Sequence, residues 1–259
     1  VRMLAHLLTN AMRQYSAIEL RTVIDGHPII PDQPETDLGS ESGLSIESEL
    51  LQEEPALDHK AIEEINFGKE NGACGVYLRA GEAGLSLTDP YFFPVYEEAS
   101  RLDLPICIHA SIGNFDMWDQ MENGLRFKLP PISLFHNLLM QRVPERFPDL
   151  RWTFVEISSQ WLPYVLNDLS IRFRNGDREF SGSDMLRSNR MYVACQTTDD
   201  LPYVLENAGD DNIVIGTDYG HDDTSSEIIA IRKLREDGAI NSASVGKILE
   251  DNPKCLYGL

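Results

Sequence analysis

The chain has 259 residues, enough for one α/β barrel or two smaller domains, and 42% of them are hydrophobic, enough to fill a core. Its 22 basic and 42 acidic residues leave a formal net charge of −20, which repels nucleic-acid phosphates and anionic lipid headgroups alike. Neither nucleic acid nor a membrane surface is therefore expected as a partner, and one domain over residues 1–259 with a solvated acidic surface is the simpler organisation.

The first residues, Val1-Arg2-Met3-Leu4-Ala5-His6-Leu7-Leu8, form an apolar run too short to span a membrane and without the layout of a signal peptide. Helical periodicity over about 3–15 leads to a strand at Leu20–Ile24, and His27 in the following Asp25-Gly26-His27-Pro28 reads as a loop residue. Residues 31–54 open with Pro31 and Pro34 and run through Gly39-Ser40-Glu41-Ser42-Gly43 into scattered acids, a solvated acidic excursion rather than a linker. From about residue 57 onward apolar runs alternate with amphipathic helical patterns, the mark of βα units on a parallel sheet. The helix at 58–71 takes Asp58 as its cap, Ala61, Ile62, Ile65 and Phe67 as its buried stripe and Asn71-Gly72 as its stop.

The strand Cys74–Leu78 ends at Arg79, whose guanidinium suits a two-point grip on a substrate carboxylate; an ion pair with Glu82 is the alternative. Thr88-Asp89-Pro90 opens a helix at 91–102, with proline where its missing N–H costs nothing. Next comes Ile106–His109, apolar up to an imidazole at its end, which is either a metal ligand or a hydrogen-bonded core histidine. His136 lies in the helical pattern 132–146 and either faces the site as a substrate contact or serves structure. The strand Thr153–Glu156 ends on a carboxylate that apolar surroundings would turn into a general base or a metal ligand, or else a salt bridge into a structural acid. Trp161 opens the helix 158–173 as a candidate wall of the substrate site. After a strand at Tyr192–Cys195 and a helix at 199–207, Ile213–Gly216 leads into Thr217-Asp218-Tyr219-Gly220-His221. Asp218 can bind a metal through one oxygen and accept a proton through the other, or cap the next helix; His221 can be a polar contact or proton shuttle. Helices at 224–236 and 243–250 close the pattern.

Carboxyl ends of parallel strands are where barrel chemistry sits, so His109, Glu156 and Asp218 are expected to share one site. The fold class is α/β, a (β/α)8 TIM-type barrel, for which six strands are legible. Cys74, Cys107, Cys195 and Cys255 are far apart without a CxxC pair, which reads as free thiols in a reducing, cytoplasmic setting. No GxGxxG follows a strand, and neither a P-loop nor a GxSxG elbow occurs, which argues against nucleotide-dependent chemistry and serine hydrolysis.

Several ordered pieces carry a likeness. They are Leu87-Thr88-Asp89-Pro90-Tyr91-Phe92-Phe93-Pro94 running into Leu104-Pro105-Ile106-Cys107-Ile108-His109, Arg146-Phe147-Pro148-Asp149 leading to Glu156, and Trp161-Leu162-Pro163. Gly216-Thr217-Asp218-Tyr219-Gly220-His221 and Asp251-Asn252-Pro253 complete the set. From about residue 57 to its end the chain resembles the amidohydrolase superfamily, in the branch of aminocarboxymuconate-semialdehyde decarboxylase and the aromatic-acid decarboxylases.

The resemblance implies a divalent metal held by a His-x-His pair on the first barrel strand, a histidine on the fifth and an aspartate on the eighth. His109 then takes the fifth-strand role and Asp218 the eighth, and the six legible strands become the third to the eighth. The first-strand pair is absent from this sequence, which is expected to lack the N-terminal strands; His27 has no second histidine two residues on. Many relatives carry a histidine where Glu156 stands, so Glu156 is either the base or a ligand to a second metal. The implied cofactor is one divalent ion, zinc, manganese or iron, with a second open; a carboxylate-rich set favours manganese or iron. The expected enzyme is a metal-dependent hydrolase or decarboxylating lyase acting on a small carboxylated, cyclic substrate, with homo-oligomers left open. Two alternatives stand beside it: an iron-dependent oxygenase with Glu156 as an added ligand, and a degenerate barrel that binds without turnover.

Overall fold

A computed structural model of the chain describes residues 18–19, 55–82, 85–110, 123–174, 181–217 and 229–259. Six strands among them form one parallel sheet: β1 (Ile18–Glu19), β2 (Val76–Arg79), β3 (Ile106–His109), β4 (Trp152–Val155), β5 (Met191–Cys195) and β6 (Ile213–Ile215). They pair strictly in chain order. A sheet whose strands are all parallel and never reverse their order is wound in one direction, as in a (β/α)8 barrel; a doubly wound sheet would show a reversal. A small antiparallel hairpin, Gly81–Glu82 with Leu85–Ser86, follows β2.

The connections are helical. α1 (Pro55–Glu70) precedes β2, and α2 (Phe93–Arg101) joins β2 to β3 after a 3-10 turn at Pro90–Phe92. α3 (Asn123–Met140) and α4 (Val143–Arg146) precede β4, α5 (Leu162–Arg174) and α6 (Gly182–Ser188) precede β5, and α7 (Leu201–Ala208) precedes β6. α8 (Ala230–Glu236), α9 (Ser242–Gly246), a π turn at Lys247–Asp251 and α10 (Asn252–Tyr257) end the chain. Among the described residues no helix is long and apolar enough to cross a membrane.

Alternation along the strands separates two faces. Val76, Leu78, Ile106, Ile108, Trp152, Phe154, Met191 and Val193 are fully buried against Ile65, Tyr96, Phe135, Leu166 and Leu169 of the helices. Residues in between, Tyr192, Ala194 and Val214, form a second cluster with Leu256 and the adjoining Val155 and Tyr257. Where both faces are covered, a strand reads as a continuous apolar run, as Met191–Cys195 does. Asn252 anchors the C-terminal helices to this sheet: its amide donates to the carbonyls of Asp210, at 2.7 Å, and Ile213, at 2.6 Å.

Register puts Arg79, His109 and Val155 in one row across β2, β3 and β4. The sheet therefore delivers its carboxyl ends side by side, with Glu156 one residue past the row.

Several expectations are corrected. α1 starts at Pro55, so Asp58 lies inside the helix rather than before its first turn. Phe67 is 61% exposed because it sits about 120° round the helix from Ala61, off the stripe that Ala61 and Ile65 define. The helix expected at 132–146 starts nine residues earlier, passes through Pro130 and Pro131, and breaks after Met140, where Arg142 adopts a left-handed φ of 58°. The fourth strand stops at Val155 rather than Glu156. The expected helix at 3–15, strand at Leu20–Ile24, His27 and the excursion at 31–54 lie outside the described residues.

Candidate functional site

His109 occupies the last position of β3, on the face opposite Ile106 and Ile108. Its Nδ1 is 2.7 Å from the carbonyl oxygen of Ala110. A carbonyl only accepts, so Nδ1 carries the proton and donates it, which leaves Nε2 as the chemically open nitrogen. Nε2 meets Oε2 of Glu156, the residue just past β4. With the ring protonated this contact is an ion pair. With the ring neutral, an imidazole lone pair and a carboxylate oxygen stand side by side, a mixed donor pair of the kind that suits a divalent cation. The two side chains are 27% and 15% exposed, buried enough for the interaction to be poorly screened yet open to a ligand. The ring of Tyr77, from β2, lies 5.1 Å from that of His109 at 45° and forms one wall.

Glu156 reaches this position through an unusual backbone. Its φ is 63°, and that of Ser158 is also 63°. Left-handed geometry in a residue other than glycine costs roughly 1–2 kcal/mol, and persists only where neighbours over-determine it. The neighbours are visible: Asp199, in the loop after β5, accepts from the Ser159 backbone N–H and the Ser159 hydroxyl, both at 2.8 Å, and from the Ser158 hydroxyl. Trp161 Nε1 donates to the Ser158 carbonyl at 2.7 Å, and the indole packs on Phe135 with ring centroids 5.0 Å apart. Trp161 thus ties the turn after Glu156 to the core through Phe135.

The other expected site residues divide. Arg79 stands in the row of His109, and its guanidinium is gripped by Glu82, with Nε 2.9 Å from Oε1 and Nη2 against Oε2. His136, on α3, gives its Nε2 to Asp168 of α5 at 3.0 Å, and Asp168 also accepts from Arg172 at 2.6 Å. Arg172 first, then His136, holds the Asp168 carboxyl below its usual range. Asp218 and His221 lie outside the described residues. Among the described residues no group of three or more His, Cys, Asp or Glu side chains is arranged to hold a metal; His109 and Glu156 stand as a pair.

Asp199, Ser158, Ser159 and Tyr77 were not singled out by sequence reasoning. The only signal for Asp199 was a carboxylate shortly after a buried strand, at a position equally suited to starting the next helix. The thiols are unpaired, and burial pushes Cys107 and Cys195 up to about 12, out of reach as nucleophiles. Elsewhere, Leu205, Gly209, Asp210, Ile240 and Ser244 line a pocket of about 370 Å³ before β6, where Asp210 is committed to Ser244 and Lys247.

Against this geometry the comparisons take on meaning. The family model described as amidohydrolase matches residues 54–259. Among solved structures, an amidohydrolase from Mycobacterium avium subsp. paratuberculosis K-10 aligns with 78% of this chain and 55% of its own, at 22% identity and a TM-score of 0.61. A 5-carboxyvanillate decarboxylase from Sphingomonas paucimobilis aligns with 78% of this chain and 64% of its own, at 17% identity and a TM-score of 0.63. One from Novosphingobium aromaticivorans, complexed with manganese and 4-hydroxy-3-methoxy-5-nitrobenzoic acid, aligns with 78% and 61%, at 19% identity and a TM-score of 0.64. The chain therefore spans 55 to 64% of the length of these neighbours, and at such identities the likeness shows the fold, a TIM-type barrel.

Proposed function

The chain belongs to the amidohydrolase family, and from that membership we propose a metal-dependent enzyme that decarboxylates or hydrolyses a small carboxylated, cyclic substrate. One observation carries the reading: at the ends of adjacent strands His109 Nε2 and a Glu156 carboxylate oxygen converge, with Nδ1 already committed to a backbone carbonyl. That hydrogen bond fixes the tautomer a metal ligand requires. His109, Glu156 and Asp218 would hold one divalent ion, and Asp218, three residues past the end of β6 in the sequence, would supply the further carboxylate. When bound, such an ion polarises a carbonyl or carboxylate oxygen and lowers the pKa of water.

The chain's own groups supply the rest. Asp218 and Glu156 would move protons, each through the carboxylate oxygen not given to the metal: in hydrolysis by taking one from water, in decarboxylation by relaying one from water to the ring carbon as its bond to the carboxylate breaks and carbon dioxide leaves. Arg79, oriented by Glu82, holds the substrate's anionic group; Tyr77 and Trp161 bound the ring, and His221 is a polar contact. Decarboxylation is the first activity to test, because two structural neighbours are 5-carboxyvanillate decarboxylases, and manganese the first metal, because one was crystallised with it.

The test supplies manganese and a panel of hydroxybenzoic acids, and records carbon dioxide release together with oxygen uptake. Release without oxygen uptake is expected, falling about a hundredfold or more in E156Q. Coupled oxygen uptake would move the assignment to an iron-dependent oxygenase. Unchanged turnover and metal content in both H109A and E156Q would remove the site altogether.

A further inference from the structure

Four donors converge on the carboxylate of Asp199. Three come from the turn that follows Glu156: the backbone N–H and hydroxyl of Ser159 on Oδ2, and the hydroxyl of Ser158 on Oδ1. The fourth, the Gln196 backbone N–H at 3.0 Å, ties the same carboxylate to its own loop at the end of β5. A second tie runs beside it, from the Asp200 backbone N–H to Gln160 Oε1 at 2.7 Å. The ends of β4 and β5 are thus locked together by hydrogen bonds beyond the ladder, which ends at the Phe154–Val193 pair.

What this lock secures is the turn from Glu156 to Ser159, which holds two left-handed residues and a fully buried Ser159. A relaxed β or α backbone at Glu156 would swing its side chain away from His109, since φ determines where the Cα–Cβ bond points. A carboxylate is the fitting clasp: it only accepts, and the turn presents only donors to it.

We infer that Asp199 is a positioning residue, clamping the Glu156–Ser159 turn so that the Glu156 carboxylate is aimed at the point His109 Nε2 faces. The inference rests on the reading of Glu156 as a metal ligand. Outer groups that orient a ligand typically change metal affinity tenfold to a hundredfold when removed.

The test measures Mn2+ binding by the loss of the free-ion electron paramagnetic resonance signal, in wild type, D199N, E156Q and D199N/E156Q, together with hydrogen exchange of peptides covering 157–161. D199N is expected to weaken Mn2+ binding about tenfold and to speed exchange in that segment, and to weaken binding less than twofold when Glu156 is already glutamine. A Mn2+ loss of the same size with and without Glu156, or unchanged exchange in the turn, would overturn the positioning role. Wild-type Mn2+ affinity in E156Q would instead overturn the assignment of Glu156 as ligand, and with it the purpose given to Asp199; unchanged exchange in D199N refutes the clamp independently. D199N keeps one acceptor oxygen, so it remains informative should D199A fail to fold.

Discussion

Arg79 and Glu82 hold each other so closely that neither can be altered alone without disturbing the other. Glu82 is 5% exposed, and removing only the guanidinium would leave a buried carboxylate without its cation, a change that destabilises on its own account. The pair must be neutralised together. In R79M/E82Q both charges go, while the glutamine oxygen can still accept the Arg79-position backbone N–H that Glu82 takes now at 3.1 Å. If Arg79 grips an anionic substrate, KM should rise about tenfold with kcat nearly unchanged, because a charge-assisted contact is worth roughly 1.5–3 kcal/mol in ground and transition state alike. Steady-state kinetics decide it: unchanged KM would return Arg79 to a structural ion pair. At this scale the sequence drew attention to His109 and Glu156 because each follows a mostly apolar run, where an ionisable group has to be explained, and the structure places their side chains in contact. It could not expose Asp199, whose role depends on two hydroxyls and an N–H some forty residues earlier in the chain. Nor could it choose for Arg79 between Glu82 and substrate, since both readings need the same side chain at the same strand end.

Elements were legible in proportion to how much apolar surface they bury. The strands from β2 to β6 follow apolar stretches that the alternating βα rhythm makes plain: in β2 and β3 every second residue is buried, and β4, β5 and β6 each hold two or more buried residues in succession. The hairpin at 81–86 was invisible, two residues per strand being too short for any period. So was α6, where Met185 and Leu186 alone are buried and a capping hydrogen bond from the Asp184 N–H to Ser181 starts the helix. The closing helices show how an anchor works without a hydrophobic stripe. Asn252 is buried, and N252A would strand the carbonyls of Asp210 and Ile213 along with the space the amide filled. A loss of about 2–4 kcal/mol is expected, read as a lower urea midpoint with an unchanged m-value. Asp210 binds the same region to Ser244 and Lys247. Burial works to raise its carboxyl, yet hydrogen bonds from Lys247 and Ser244 outweigh it and hold the group below its usual range. A carboxyl lowered by folding stabilises above its unfolded value of about 3.9 and loses that stabilisation as pH falls through it toward the folded value. Unfolding free energy measured from pH 7 to pH 3 should therefore decline less steeply on the acid side in D210N than in wild type, from a lower starting point. A parallel decline in both would mean that Asp210 has no part in the acid limb.

The whole molecule sets a field that the site must work against. Its 42 acidic residues against 22 basic ones give the chain a net negative field, and the carboxylated substrate proposed above would approach it as an anion. Two contributions then compete. The diffuse field repels the substrate over the length of a Debye layer, roughly 30 Å at 0.01 M salt and 10 Å at 0.1 M, while a local cation such as Arg79 attracts only at contact. Salt removes the first far more effectively than the second, because a half-buried guanidinium held by Glu82 is less screened than open surface. The expected outcome is that kcat/KM for a carboxylated substrate rises severalfold between 0.01 and 0.15 M salt, whereas binding of a neutral analogue hardly responds. R79M/E82Q removes one positive and one negative charge, so the net charge of −20 is unchanged and the same relative rise should survive in a weaker enzyme. A fall of kcat/KM with salt in wild type, converted to a rise in the double variant, would show instead that the strand-end cation outweighs the surface, and that the acidic exterior never reaches the substrate's path.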